Sequence, residues 1–379
     1  MRVAVVTSIH PDYDARVFRH AGSLAAAGMD VDLVCPWGLP AKPLPAGLRL
    51  VRFRRVEARP LRPILIPLRI LRLLRGTRYD VIHFHDLDLL PVFSMLSIFE
   101  RKTRFVYDCH ENYSLEMQNK HYLPRWLRRP MGWIVKWGER VAALPIREVV
   151  LVVPSQEQTF PRPWFHSTLV QNFAELELER DRADDYEQRR DACISIAFQY
   201  VANGSLFLLD VAREVVNRRP TVLFYAIDLF KGDDALRRRV LARRDQLGLQ
   251  DSVTLLPSVL PQDIMKYLNT ATIGLVLDLP VAHRIAALPV KLFEYMAAGL
   301  PVVGADLPNI RAVVEPVQCG ILAEPGNVGS FADAICKLGD DRSAARAMGL
   351  RGLLAFRGRY NWDREVKKVV ELYGAIREV

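Results

Sequence analysis

Short apolar runs alternate with stretches of helical periodicity along most of the chain. In the first third the runs are Val3–Thr7, Val31–Cys35, Leu48–Phe53, Val81-Ile-His-Phe-His85 and Phe105-Val-Tyr-Asp108. Near-continuous runs predict strands buried on both faces, whereas Leu48-Arg-Leu-Val-Arg-Phe53 alternates and predicts an edge strand. Ala15 to Ala27 reads as a helix closed by Gly28, and another helix ends near Phe99. Strands separated by helices predict a parallel, doubly wound sheet. A helix over Pro124–Leu144, a strand at Val149–Val153 and a short one at Leu169–Asn172 follow. The stretch Glu175–Arg190 is charged throughout and lacks an apolar face, so it predicts an exposed linker or a loose helix between domains. A second series then begins: Ile194–Phe198, Val222–Ala226, Val253–Leu256, Ile273–Leu277 and Pro301–Gly304 as strands, and Trp362–Arg377 as an amphipathic helix. Two doubly wound units flanking a polar linker predict a cleft between them, where ligands of such sheets bind.

Composition adds bounds. A chain of 379 residues accommodates about two domains. No apolar run approaches the roughly 20 residues of a membrane span. The N-terminus enters a strand directly, and Arg16 and Arg19 interrupt anything like a signal peptide. Five scattered cysteines without CxxC or zinc spacing fit a reducing cytoplasm.

Charge is uneven. Arg49–Arg78 holds ten arginines and one glutamate, and Tyr122–Arg140 holds four arginines, one lysine and one glutamate. Their combined excess is larger than the net +9 of the whole chain, so the remainder is slightly acidic. In the first stretch arginines interleave with Ile and Leu at helical spacing. In the second, Trp126, Trp133 and Trp137 stand among the cations. Both patterns suit an anionic membrane surface. Nucleic acid would ask for aromatic or polar residues between the cations. The competing reading of the first stretch is a core-facing helix with a solvated basic face.

Candidate chemistry lies at strand ends. Asp108, His110 and Glu111 follow one strand, and a histidine there can contact a sugar hydroxyl or exchange a proton near neutral pH. His83 and His85 alternate to one face of the preceding strand, with Asp86 and Asp88 next. Two histidines and two aspartates are a metal-type set, but no third anchoring motif stands nearby in sequence. His10, Asp14 and Arg16 occupy the loop and helix start after the first strand, where no GxGxxG appears. Farther on, Leu288-Pro-Val-Lys-Leu-Phe-Glu-Tyr-Met-Ala-Ala-Gly-Leu-Pro-Val-Val-Gly304 reads as a short helix, a glycine stop and a buried strand. Lys291 and Glu294 lie three apart on one helix face. A lysine beside a helix N-terminus suits phosphate, and a carboxylate one turn later can accept ribose hydroxyls. An ordinary exposed ion pair is the plainer alternative.

This segment resembles the nucleotide-sugar signature of family 4 glycosyltransferases, retaining enzymes of the GT-B fold. Val106–Asn112, Val259–Ile264, Ala271–Val276, Cys319–Pro325 and Tyr360-Asn-Trp362 resemble family segments in the same order. The resemblance implies two Rossmann-like domains, an acceptor-binding one over 1–175 and a nucleotide-sugar-binding one over 190–358, with a helix over 359–379 packing back on the first. It implies a nucleotide-diphosphate sugar as donor substrate, no cofactor, no metal, and a lipid-linked or polysaccharide acceptor at the inner membrane face. Glu294 is then expected at the ribose, Lys291 and Arg284 at phosphates beside Leu292 and Phe293, and His110 at the reaction centre. His10, Asp14, Arg16, His85, Asp86 and Glu111 would shape the acceptor side. Two departures stand out. The family's first glutamate, eight positions before Glu294, falls on Ala286. The loop Tyr200–Leu209 carries no cation, leaving Lys231, Lys291 and Arg284 as substitutes. A non-catalytic scaffold subunit and a sugar-nucleotide 2-epimerase are the alternatives.

Overall fold

Thirteen strands form two fully parallel sheets among the described residues of the computed structural model, which are 1–10, 15–37, 44–56, 61–119, 123–196, 204–227, 234–257, 259 and 263–378. Asp14, Lys231 and residues 200–203 of the Tyr200–Leu209 loop lie outside them. The chain divides into two units, Met1–Asn172 with Arg364–Val379, and Phe173–Asp363.

The first unit runs β1 (Arg2–Val6), α1 (Ala15–Ala26), β2 (Asp30–Pro36), β3 (Leu48–Phe53), α2 (Arg62–Leu74), β4 (Val81–His85), α3 (Leu90–Phe99), β5 (Arg104–Cys109), α4 (Tyr113–Asn119), α5 (Arg125–Ala143), β6 (Glu148–Leu151) and β7 (His166–Leu169). Its sheet order is β3-β2-β1-β4-β5-β6-β7, with β3 at an edge as the alternation predicts. The order reverses between β1 and β4, the switch point where ligands of doubly wound sheets bind beyond the carboxyl ends of the strands. Strand periodicity divides the side chains. Ala4, Val6, Ile82 and Phe84 face the core with Ile66 and Ile70 of α2, Phe93 of α3 and Ala143 of α5. His83 and His85 point to the opposite face.

The second unit contains β8 (Ala192–Ser195), α6 (Phe207–Arg218), β9 (Leu223–Ile227), α7 (Asp234–Gln246), β10 (Val253–Leu256), α8 (Ile264–Leu268), β11 (Ile273–Val276), α9 (Ala282–Ala286), α10 (Val290–Ala297), β12 (Val302–Ala305), α11 (Pro308–Val317), β13 (Gly320–Ala323), α12 (Val328–Asp340) and α13 (Arg342–Gly358). The order β10-β9-β8-β11-β12-β13 repeats the first pattern, with its switch point between β8 and β11. A final helix, α14 (Trp362–Glu378), begins in this unit and continues into the first.

Three expectations need correction. The charged stretch after Phe173 is not a bare linker: it forms two short 3-10 turns, Leu176–Asp181 and Tyr186–Gln188. Tyr186 Oη donates to Thr272 O at 2.8 Å, and the buried Arg189 donates to Ala271 O at 3.2 Å, which ties the stretch to the second unit. The strand expected at Leu169–Asn172 lies three residues earlier, because this edge strand is only partly buried and carries no apolar pattern. Helix α2 fits neither reading of its sequence alone. Ile66, Ile70 and Leu74 are buried, while Ile64, Leu68 and Leu73 are exposed.

Helix α5 is inverted relative to an ordinary surface helix. Its outward stripe is Trp126, Trp133, Ile134, Trp137 and Val141, with Trp126 76% and Trp133 63% exposed, while its glutamate, Glu139, is buried. Helix α3 packs beside it, with Ser94 hydrogen-bonded to the Ala142 carbonyl, and adds exposed Met95, Ile98 and Phe99.

Candidate functional site

The first candidate site gathers at the carboxyl ends of β1, β4 and β5, around the switch point. Asp86 follows β4 with a φ of +73°, a strained conformation for a residue other than glycine. Its Oδ2 accepts from Thr7 Oγ1 at 2.6 Å and from the Ser8 amide at 2.7 Å, both just past β1. Its Oδ1 lies 3.2 Å from His10 Nε2. His10 Nε2 in turn is 2.9 Å from His110 Nε2, just past β5. Thus His10, Asp86 and His110, from three separate loops, converge as neighbours. Burial holds the His110 imidazole below its ordinary pKa, against the opposing pull of Asp86 and Asp108. Burial and then the neighbouring Glu116 push Glu111 up to about 7.

Beneath this layer lies a second, fully buried one. Arg16 Nη2 donates to both carboxylate oxygens of Asp108, at 3.1 and 3.0 Å. Arg16 is therefore a buried structural cation here. His83 Nε2 lies 3.4 Å and His85 Nδ1 3.5 Å from Asp108 Oδ2, while His20 packs edge-on against the His83 ring. The Tyr373 hydroxyl of α14 is hydrogen-bonded to His83 Nδ1 at 2.8 Å. Burial would raise the Asp108 carboxyl, but Arg16 foremost, then His85 and His83, hold it well below the usual range. Burial keeps His20, His83 and His85 below theirs. His20, His83, His85 and Asp108 have the spacing of a metal-ligand set, yet the carboxylate is already taken by Arg16.

The backbone that carries His110 is clamped on both sides. Gln156 Nε2 donates to Cys109 O at 2.6 Å and to Glu111 O at 3.2 Å, while its Oε1 accepts from the Val152 and Val153 amides at 2.8 and 3.0 Å. Glu139 of α5 accepts from Tyr107 Oη at 2.7 Å and from Cys109 Sγ at 3.2 Å. Burial raises the Glu139 carboxyl to about 6, with these two hydrogen bonds drawing it back.

The second candidate site belongs to the other unit. Gly299 ends α10 with a φ of +66°, as its sequence predicts. Gly274 of β11 is also obligatory, since a Cβ there would come within 2.4 Å of the Tyr295 ring. Leu292 and Phe293 are fully buried, and Phe293 packs against Phe173 and Tyr360, so only their backbone could meet a ligand. Glu294 is half-buried on α10. Lys291 is buried, and its Nζ donates to Asp278 Oδ1 at 2.8 Å, just past β11. Arg284 is half-buried on α9, and its Nε has no hydrogen-bond partner among the described residues. Asn309 of α11 anchors this segment by donating to the carbonyls of Arg284, at 2.9 Å, and Ala287.

Residues 15–162 match the family described as Glycosyltransferase Family 4, and residues 193–341 match that described as Glycosyl transferases group 1. The chain belongs to this glycosyltransferase family. Among its relatives, a D-inositol 3-phosphate glycosyltransferase of Acidothermus cellulolyticus is 28% identical over 135 residues, which is 36% of this chain and 29% of that protein. One of Segniliparus rotundus is 25% identical over 172 residues, 45% and 37% of the two chains. The match thus spans well under half the length of these curated relatives. Among solved structures, sucrose-phosphate synthase from Thermosynechococcus elongatus superposes with a TM-score of 0.80 at 18% identity, covering 100% of both chains. The Anabaena protein HepE, solved in complex with UDP-glucose, gives 0.73 at 13% identity over 99% of this chain and 100% of that one. These likenesses fix the fold as GT-B.

In this family 4 glycosyltransferase, sequence reasoning singled out Asp108, His83 and His85 but not their link to Arg16, nor Gln156, Glu139, His20 and Tyr373. The partners stand far apart in the chain, Arg16 and Asp108 by 92 positions, so no local pattern joins them. Asp278 was visible upstream of Glu294 but has no place in the family spacing. Its position past the apolar end of β11 was the available signal.

Proposed function

We propose that the chain transfers a hexose from a nucleotide-diphosphate sugar to a lipid-linked or polysaccharide acceptor, with retention at the anomeric carbon. The observation that carries this reading is that both halves of the chain fall in the family, with His110 held at the switch point of the first sheet. The Anabaena structure solved with UDP-glucose supports a nucleotide sugar as donor. Glu294 binds the ribose, and Arg284, Lys291 and the α10 backbone at Leu292 and Phe293 stabilise the leaving diphosphate without calling on a metal there. Arg284 makes the direct contact, since Lys291 is engaged by Asp278. His110 meets the donor sugar, with His10, Asp14, Arg16, His85, Asp86 and Glu111 forming or supporting the acceptor side.

Glu294→Ala is expected to weaken nucleotide binding by about 1.5–3 kcal/mol, the worth of charge-assisted hydrogen bonds. Calorimetry with the folded variant checks this, and unchanged affinity rules the ribose role out. The second reading is a non-catalytic scaffold, favoured by Ala286 and by the neutralised Lys291. A panel of nucleotide sugars separates the two: release of nucleotide diphosphate by purified protein supports the enzyme, and none with any donor or acceptor supports the scaffold.

The same reading seats the first unit on the anionic, cytoplasmic face of a membrane. The support is the outward aromatic stripe of α5 with Arg125 and Arg129 beside it, the neighbouring Ile98 and Phe99, and the exposed Ile64 and Leu68 of the arginine-rich α2. No described helix is long and apolar enough to cross a membrane. Each cation near such a surface contributes on the order of 1 kcal/mol, and the attraction fades as the Debye length drops to about 3 Å in 1 M salt. Co-sedimentation with anionic vesicles at low salt is expected, falling at least about tenfold when Trp126, Trp133 and Trp137 are all changed to Ser. Equal binding to neutral vesicles, or none to anionic ones, would point to a soluble acceptor instead.

A further inference from the structure

A cavity of about 680 Å³ opens in the first unit between the carboxyl-terminal halves of α2 and α3. Its walls are Leu71 and Leu74 of α2, Leu96 of α3, Ile82 of β4 and Phe105 of β5, with the half-exposed Leu68 beside them. Two polar groups of the same wall are spent inward: Thr103 Oγ1 donates to Tyr79 O at 3.0 Å, and Tyr79 Oη donates to Asp32 Oδ2 at 2.7 Å. Arg72, Arg75 and Arg78 also line the cavity, are exposed, and make no ion pair among the described residues. Glu100 is the one carboxylate among the described lining residues. We infer that this cavity binds one acyl chain of a lipid with a phosphate headgroup, the chain between the two helices and the phosphate on the three arginines.

The volume falls within the range of small-ligand sites, about 300–1,000 Å³. Apolar walls beside exposed cations suit the two ends of an amphiphile, because the methylenes leave water while the anion stays at the mouth. Guanidinium forks match phosphate oxygens bidentately, and three of them against one carboxylate leave the rim cationic. These three are available, whereas Arg62 and Arg69 of α2 are spent on the carbonyls of Val56 and Arg54, at 2.8 and 2.7 Å. A free phosphate would leave the apolar walls unused, and a neutral lipid would leave the arginines unused. Apolar surface flanks the cavity on both helices, with Ile64 and Leu68 exposed on α2 and Met95, Ile98 and Phe99 on α3. Thr77–Tyr79 and Thr103 place the cavity at the amino ends of β4 and β5, whereas His110 follows the carboxyl end of β5, so this is not the acceptor site. The inference goes beyond the docking reading above and stands apart from it, since it concerns one lipid molecule and needs no bilayer.

Calorimetry of the full-length chain with 1-lauroyl-glycerol 3-phosphate, kept below its micelle threshold, tests the inference. One equivalent should bind, at least about tenfold more tightly than the decanoyl homologue, since each buried methylene is worth roughly fourfold. The lipid without its phosphate, 1-lauroylglycerol, and the head without its chain, glycerol 3-phosphate, should each bind at least about tenfold more weakly. Arg72→Ala/Arg75→Ala should weaken the lipid by a similar factor, and both side chains are exposed, so the fold should be kept. Leu68→Asp, which sets a like charge beside the chain and headgroup, decides the matter if the arginine variant fails to fold by circular dichroism. Trp126→Ser/Trp133→Ser/Trp137→Ser should keep the parent's affinity for the monomeric lipid, so loss of vesicle docking and loss of this site are told apart. No saturable binding below the micelle threshold, equal binding of 1-lauroylglycerol or of glycerol 3-phosphate, or unchanged affinity in a folded cavity variant overturns the assignment.

Discussion

Lys291→Met is expected to destabilise the second unit by about 3–5 kcal/mol, because it leaves the Asp278 carboxylate buried without its partner. At about 2–4 °C per kcal/mol for a unit of this size, the melting transition should fall by on the order of 10 °C. The double variant Lys291→Met/Asp278→Leu should regain most of that loss, since two apolar residues can replace a buried pair at little cost. Denaturant unfolding of the three proteins provides the comparison. The double variant also separates structure from function. If it folds and still binds nucleotide, the lysine is a core element and Arg284 serves the diphosphate. If the single variant loses less than about 1 kcal/mol, the pair is not a buried ion pair in solution.

A loss of similar size is expected for Arg16→Met. The guanidinium reaches both oxygens of Asp108 inside a cluster that also holds His83, His85 and His20, and removing it strands a carboxylate among buried imidazoles. The cost should again be about 3–5 kcal/mol, now in the first unit. Arg16→Met/Asp108→Asn should recover much of it by removing the stranded charge. Chemical denaturation followed by the tryptophans of α5 reports on that unit. A single variant as stable as the parent would mean that water reaches Asp108 in solution.

Much of the architecture was legible because a buried parallel strand announces itself locally. Val3–Thr7 and Val31–Cys35 have no polar face to confuse the reading, and the period of two correctly placed His83 and His85 on one side of β4. Reading failed where burial is partial. The edge strand β7 carries no apolar pattern, the edge strand β13 is a run of only four residues, and the charged stretch after Phe173 hid Tyr186 and Arg189, whose burial depends on distant carbonyls. Helix α5 was easier. Tryptophans set among cations suited an outward face, and they are exposed while Gly132, Glu139 and Ala143 turn inward. At the candidate sites, residue types were legible and partnerships were not. Arg16 was expected to shape the acceptor side until folding brought Asp108 against it. Lys291 looked poised for phosphate until Asp278, thirteen positions earlier, arrived beside it.

The division of α14 between the two units has a consequence for biosynthesis. The first unit is discontinuous in the chain: its sheet emerges early, but Tyr373, which covers His83, belongs to Arg364–Val379. The whole of Phe173–Asp363 must be translated in between. At about 5–20 residues per second, the ribosome delays that closure by on the order of 10–40 s. For that interval the face of β1 and β4 awaiting α14 stands open beside the growing chain. Nascent protein arrested short of Arg364 should therefore hold chaperones longer than the finished chain does, and should protect the β4 amides poorly from hydrogen exchange.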